Sequence, residues 1–314
     1  MMKKLLFIYN PNAGRGNVRR YVSRIVEHLS AAGYLIAIFP TAKHGDAVRW
    51  ARHYAKKYDF VVASGGDGTL NEVVNGMMQA RENGDQIPPL GYIPEGTVND
   101  FATSRAIPKD VTEALQVVTN GNDVPTDIGS YTAEGTVNYF TYIAAFGIFT
   151  SASYETPQDA KNVLGKTAYV LEAIRSLQVI HPYRVTVRHD DVEFTDDFIY
   201  GMVTNSTSVG GFQGLTGPEV HLDDGQFDVI LVRNPRNAAD LQEIINAFLQ
   251  QSYQSDSVYH FHSGEITFLS EDEIPWTLDG EAGGAHKEVI VHNHQKALSV
   301  RVPGTAGDVI PAVE

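Results

Sequence analysis

Cysteine is absent from the sequence, which removes disulfide scaffolds and thiolate metal centres from consideration. Positive charge is scarce as well. Lys and Arg total 24 against 38 Asp and Glu, and the formal net charge is −14. A nucleic-acid binder needs a basic face to displace counterions, so that balance argues against nucleic acid as a partner. It also disfavours a purely electrostatic hold on anionic lipid, although a local basic patch fits inside an acidic total. No apolar run approaches the roughly eighteen residues needed to cross a bilayer, so no transmembrane segment is expected. The run Leu5–Tyr9 stops at Asn10-Pro11; it is too short for a signal-peptide core and reads as a first buried strand. Any meeting with a membrane is therefore expected at its surface.

What is present is a globular composition, 43% hydrophobic and 20% charged over 314 residues, enough chain for two cores. Up to about residue 130, apolar strands alternate with helical patterns. Strands are expected at Leu5–Tyr9, Tyr34–Phe39, Asp59–Ala63 and Leu90–Ile93, and helices at Val18–Ala31, Asp46–Lys57 and Leu70–Ala80. The alternation predicts an α/β fold with a parallel sheet, whose ligands bind at the carboxyl ends of the strands. After Asp127-Ile128-Gly129 the pattern turns to period two, at Arg184–Arg188, Val192–Thr204, Phe227–Val232, Glu265–Leu269, Val289–His292 and Leu298–Val302, with one helix near Thr167–Gln178. This predicts a C-terminal antiparallel, β-rich, sandwich-like domain. The expected division is residues 1–128, with a returning tail of about 298–314, against residues 129–297. The apolar run Val137–Phe149 reads either as core strand or as the lining of an acyl-chain pocket.

Chemistry concentrates in the loops. Gly65-Gly66-Asp67-Gly68-Thr69-Leu70-Asn71-Glu72 lies between a strand and a helix. Its glycines let the backbone present N–H groups to an anion at a helix N-terminus, and Asp67 is placed to hold Mg²⁺ beside nucleotide phosphates. A plain capped turn would need no third glycine followed by Thr and Asn. Asn10-Pro11-Asn12-Ala13-Gly14 and Pro94-Glu95-Gly96-Thr97-Val98-Asn99-Asp100-Phe101 are each ordinary loops alone, yet they fall on the same sheet edge. Asp279-Gly280-Glu281 follows Trp276-Thr277-Leu278, where Asp-Gly alone reads as a hairpin turn.

The four segments Asn10–Gly14, Gly65–Thr69, Gly96–Phe101 and Asp279–Glu281 together resemble the lipid kinase family of soluble bacterial diacylglycerol kinases and, more distantly, sphingosine and ceramide kinases. The resemblance covers essentially the whole chain and is nearest to the Gram-positive diacylglycerol kinases. Asn71–Gly76, Ser153–Pro157 and Leu222–Gly225 agree with it. It implies an ATP-dependent diacylglycerol kinase, cytoplasmic and peripheral at the inner membrane surface, with Mg²⁺ as cofactor and a homodimer as an allowed state. It implies ATP contacts from Asn10, Pro11, Asn12, Ala13, Gly14, Thr41, Gly65, Gly66, Asp67, Gly68, Thr69, Leu70, Asn71 and Thr97. It implies a water-mediated Mg²⁺ network of Asp67, Asp100 and Asp127. It further implies Glu281 as general base supported by Asp279, and a second, structural Mg²⁺ at His221, Asp224 and Gln226, where the side-chain ligand is Asp224. For His221–Phe227 a plain Asp-Asp-Gly turn stays open beside the metal reading.

Some patterns depart from the family or imitate other motifs. Arg15 stands where near relatives often carry Lys, and the two cations differ in geometry. Lys166 is a second candidate cation. Ala160–Thr167 imitates a phosphate-binding loop but follows the polar, Pro157-containing Ser153–Asp159 rather than a buried strand. No dinucleotide fingerprint is present, since Arg19 stands at its third glycine. His260/His262 and His292/His294, with His286 nearby, read as half-exposed strand faces, because no acidic residue stands at a ligand spacing from them. Kinases for sphingoid bases, ceramide or other glycerolipids, an NAD kinase, and a nucleotide-binding regulator without catalysis remain as alternative readings.

Overall fold

The computed structural model describes residues 2–16, 18–148, 181–213, 220–253 and 255–304. Ser153–Pro157, Ala160–Thr167, Lys166, the helix expected near Thr167–Gln178 and the tail beyond Gly304 lie outside the described residues. The chain separates into two compact units. One comprises Met1–Thr126 and the stretch from Lys296 onward; the other comprises Asp127–Gln295.

The first unit is built on the parallel strands β1 (Lys3–Tyr9), β2 (Tyr34–Pro40), β3 (Phe60–Gly65) and β4 (Leu90–Pro94), ordered β2-β1-β3-β4. β3 is buried at every position, as expected of a parallel strand covered on both faces. Helices α1 (Val18–Ala31), α2 (Asp46–Tyr54), α3 (Asp67–Glu82), α4 (Asp100–Ser104) and α5 (Val111–Asn120) connect and cover the sheet. Ile25 and Leu29 of α1 and Val111, Leu115 and Val118 of α5 pack with Leu5, Phe7, Phe60 and Val62 in one core. α5 was not foreseen, although Asp110 caps it by accepting the amides of Thr112 and Glu113 at 2.8 and 3.1 Å. The end of the described chain returns to this unit, Val300 pairing in parallel with Leu90. Arg301 fastens it, donating to both oxygens of Asp123 at 2.7 and 2.8 Å and lying over the Phe60 ring at 4.2 Å. Such a forked pair is the geometry that Arg supplies and Lys does not.

The second unit is antiparallel. Its strands are β5 (Asn122–Ala133, entering from the first unit), β6 (Thr136–Phe140), β7 (Ile143–Gly147), β8 (Tyr183–His189), β9 (Val192–Thr204), the short pair β10 (Ser208–Val209) and β11 (Phe212–Gln213), β12 (Phe227–Arg233), β13 (Val258–Ser263), β14 (Glu265–Leu278) and β15 (Glu281–Val302, which continues into the first unit). The main order is β13-β12-β9-β7-β14-β15, with β8 pairing β9 and β14. One face is an aromatic core of Phe140, Phe146, Phe198, Phe227, Phe268 and Trp276. On the other face, Ile230 and Val232 pack with Ile244 and Ala247 of α6 (Ala238–Gln250), a helix the sequence reading did not foresee.

The run Val137–Phe149 is not one strand. β6 ends at Phe140 and β7 begins at Ile143, with Thr141 and Tyr142 forming a bend. Tyr139, Phe140 and Tyr142–Phe146 are buried, and all of them but Tyr139 belong to one of the two cores. Burial of these side chains supports the core-strand reading of the run.

Candidate active site

In the first unit, β1, β3 and β4 end side by side, so the loops that follow them meet. Asn10 joins the first two: its main-chain N–H donates to the Ser64 carbonyl at 2.9 Å, and its side-chain amide reaches the Thr69 hydroxyl at 3.4 Å. Its Oδ1 accepts the Asn12 amide at 2.9 Å, fixing the turn through Pro11 and Asn12 into Ala13 and Gly14. Thr41 is attached to the end of β1 through its amide on the Tyr9 carbonyl at 2.9 Å.

The loops after β3 and β4 interlock backbone to backbone. The Glu95 amide donates to the Gly65 carbonyl at 2.7 Å. A Cβ built on Gly96 would stand 2.7 Å from the Gly66 Cα and 2.6 Å from the Asn99 Oδ1, so this approach requires glycine. Asn99 sits in the left-handed region at φ 56° and clamps Gly96 from both sides: Oδ1 accepts its amide and Nδ2 donates to its carbonyl, each at 2.9 Å. Beneath them the buried Tyr92 hydroxyl donates to the Gly65 carbonyl at 3.0 Å. Burial, then the charges of Asp67 and Glu95, holds that phenol well above its usual pKa and keeps it a donor.

α3 begins at Asp67 directly behind this junction. The amides of a helix's first turn lack intrahelical acceptors and favour an anion. Gly68, Thr69 and Asn71 share this partly exposed turn. Leu70 differs from them: its side chain is wholly buried and its amide donates to the Gly66 carbonyl at 3.1 Å, so it anchors the start of the helix. Asp67 Oδ2 lies 3.4 Å from the Asp100 amide, placing two acidic residues at adjoining helix starts, with Asp100 almost wholly buried. Thr97 is exposed at the tip of its loop. Glu72 has a duty that spacing did not reveal. Its carboxylate caps α2, accepting the amides of Gly45 and Ala47 at 2.9 and 3.1 Å.

In the second unit, Asp279 and Gly280 form the two-residue turn between β14 and β15, at φ 50° and 84°, with Leu278 opposite Glu281. The hairpin reading of Asp-Gly is therefore correct as geometry. The Asp279 side chain does more than turn. Oδ2 accepts the Thr141 amide and hydroxyl at 2.6 and 2.8 Å, and Oδ1 accepts the amides of Tyr142 and Ile143 at 3.0 and 3.1 Å. This buried carboxylate occupies the break between β6 and β7. Next to it, Glu281 is exposed.

Asp127 also lies in the second unit and is fully buried. One carboxylate oxygen accepts the Gly225 amide at 2.6 Å, and its own amide donates to the Leu222 carbonyl at 3.1 Å. It thus shapes the His221–Gln226 loop, a role the sequence did not suggest. Within that loop, Asp224 Oδ1 accepts the Gln226 amide at 2.9 Å, and His221, Asp224 and Gln226 are all exposed. Of the histidine pairs, His292 meets Glu265 at 3.1 Å and His294 meets the Ser130 hydroxyl at 2.9 Å. His262 meets Asp228 at 2.9 Å, an acidic partner supplied by a neighbouring strand and invisible to spacing along the chain.

Residues 4–131 match the family model described as the diacylglycerol kinase catalytic domain, and residues 145–301 match the YegS C-terminal NAD kinase beta sandwich-like domain. The diacylglycerol kinase of Bacillus subtilis is 33% identical over 285 residues, covering 90% of this chain and 91% of that one. The diacylglycerol kinase of Staphylococcus aureus (strain MRSA252) is 34% identical over 286 residues, covering 90% and 88%. A solved Bacillus anthracis chain, named provisionally as a diacylglycerol kinase, superposes with a TM-score of 0.79 at 26% identity, covering 98% and 97%. With the glycine loops interlocked in one unit, Asp-Gly-Glu in the other and full-length relatives at this identity, the chain belongs to the diacylglycerol kinase family.

Proposed function

We propose that this chain transfers the γ-phosphate of ATP to the free hydroxyl of diacylglycerol, giving phosphatidic acid and ADP. The observation that carries this reading is the interlocked pair of loops 65–71 and 94–100 at the start of α3, a helix N-terminus of the kind that suits a phosphate. Asn10–Gly14, Thr41, Gly65–Thr69, Asn71 and Thr97 hold the nucleotide. The mutual hydrogen bonds of these loops hold the site ready before ATP arrives, and positioning carries much of the catalysis in phosphoryl transfer.

Asp67 and Asp100, at adjoining helix starts in a chain without thiolates, offer carboxylate oxygens that suit a hard cation such as Mg²⁺, and Asp127 joins them in this reading by the family resemblance alone. When bound, Mg²⁺ neutralises charge on the phosphates as the phosphoryl group moves. The Asp224 carboxylate, with the main-chain carbonyls of His221 and Gln226, suits a second Mg²⁺ of structural character.

Glu281 is the base. Its exposed carboxylate takes the proton of the lipid hydroxyl as that oxygen bonds to the γ-phosphorus, while the bond to the β-phosphate oxygen breaks and ADP leaves. Asp279, fully engaged with Thr141–Ile143, positions the turn that carries Glu281. Among the described residues no helix is long and apolar enough to cross a membrane, and the reading has the enzyme meet its lipid at the inner membrane surface from the cytoplasm.

The test is phosphate transfer from labelled ATP with Mg²⁺ to a panel of diacylglycerol, monoacylglycerol, ceramide, a sphingoid base and NAD. Strong labelling of diacylglycerol is expected. Labelling of ceramide, the sphingoid base or NAD in its place would move the substrate within the superfold, and no labelling despite ATP binding would leave only a nucleotide-binding regulator.

A further inference from the structure

The candidate for a site outside the kinase chemistry lies on β12 and β13, where β13 forms one end of the sheet order in its unit. The antiparallel register sets Asp228 opposite His262 and Ile230 opposite His260. Residues directly opposed across a ladder, and residues two apart along a strand, point to the same face. Asp228, His260 and His262 therefore share one face. His262 Nε2 stands 2.9 Å from Asp228 Oδ1, and the two imidazole rings are 5.4 Å apart. One ligand atom from each of the three residues lies within 4.8 Å of the others.

Burial differs among the three in a way that suits an ion. Asp228 is 4% exposed, whereas His260 and His262 are exposed. A carboxylate at the floor and two imidazoles at the rim form a three-ligand set open to solvent. The Tyr253 ring stands edge-on to the His260 ring, with centroids 5.3 Å apart.

We propose that Asp228, His260 and His262 form a binding site for one divalent first-row transition metal ion, with Zn²⁺ as its natural probe. Two neutral imidazoles and one carboxylate make a three-ligand set of the kind that holds zinc with a water in the fourth position. Imidazole nitrogen favours Zn²⁺, Cu²⁺ or Ni²⁺ over Mg²⁺, which takes oxygen, so this site is distinct in chemistry from the Asp224 loop upstream of β12. Zn–N bonds of about 2.0–2.1 Å require the ligand atoms to draw somewhat closer. The two rings are exposed and Asp228 is buried, so that adjustment falls to the imidazoles. All three ligands lie on one hairpin-like pair of strands, and a bound ion would pin the terminal strand β13 to β12.

The experiment uses the full chain without a histidine tag, stripped with a chelator and returned to buffer with millimolar Mg²⁺. Zn²⁺ is titrated calorimetrically, and Co²⁺ is added separately to read the visible d–d bands of a low-coordinate site. One saturable Zn²⁺ site is expected, with a higher Tm on binding. His260→Ala and His262→Gln, both exposed, should fold normally and weaken that site by about 100-fold, the scale of losses at metal-ligand shells. His292→Ala, on a different pair of strands, should leave it unchanged. Equal Zn²⁺ affinity in His260→Ala, equal loss in His292→Ala, or no site beyond diffuse surface binding would each overturn the proposal.

Discussion

Asp279 Oδ2 accepts both the main-chain amide and the hydroxyl of Thr141, at 2.6 and 2.8 Å. One side chain at the β14–β15 turn thereby satisfies the backbone at the break between β6 and β7, with Oδ1 taking the next two amides. Asp279→Ala would leave these buried donors without an acceptor, and each such group costs about 1–3 kcal/mol. A loss of roughly 3–5 kcal/mol is expected on denaturant unfolding monitored by tryptophan fluorescence. Thr141→Val, which removes only the hydroxyl's bond, should cost about 1 kcal/mol.

Gly66 and Gly96 touch through their backbones, and a methyl group on Gly96 would also meet the Asn99 side-chain Oδ1 at 2.6 Å. Gly96→Ala must push the two phosphate-facing loops apart. ATP affinity, measured by calorimetry, is expected to fall about tenfold or more, equivalent to roughly 1.4 kcal/mol. Thermal stability should change far less than in Asp279→Ala, because the loops lie at the rim of the sheet rather than in its core.

Glu95 follows β4, and its Oε1 is buried without a hydrogen-bond partner among the described residues. Burial, and secondarily the charge of Asp110, raises its pKa. The folded state thus binds this proton more tightly than the unfolded chain does. The contribution is fully present below the unfolded value of about 4.3 and is lost as pH rises through the raised folded value. Glu95→Gln, which keeps the side chain neutral, should raise Tm at pH 8 and leave it nearly unchanged near pH 4. A stabilisation independent of pH would show that the charge of Glu95 costs nothing.

Much of this was legible in the sequence, and the reasons are local. A buried parallel strand ending in Gly-Gly-Asp-Gly leaves few alternatives, so β3, α3 and their loop could be placed from residues 59–80 alone. The period-two stretches likewise announced an antiparallel unit. Less visible were features whose cause lies far away in sequence. Val137–Phe149 is mostly apolar, and its polar residues Asn138 and Thr141 do not by themselves mark a break; the break at Thr141 answers to Asp279, 138 residues on. Leu70 sits inside a binding motif yet faces the core, because α3 needs an apolar anchor at its first turn. Glu72 and Asn99 were seen as parts of motifs, but their work of capping α2 and clamping Gly96 depends on which loops the sheet brings together. The carboxylate under His262 comes from the neighbouring strand, so spacing within residues 258–263 could not reveal it.

The role of Glu281 is the claim on which the mechanism turns. It is exposed, so Glu281→Gln removes the base without disturbing packing or the Asp279 turn. The most direct measurement is transfer of labelled phosphate from ATP to diacylglycerol in mixed micelles by wild type and Glu281→Gln, with ATP affinity and Tm determined on the same samples. The account predicts robust phosphatidic acid formation by wild type and a fall of at least about 10²-fold in the variant, the lower range for a general base, with nucleotide affinity and Tm unchanged. Near wild-type turnover by Glu281→Gln would contradict it.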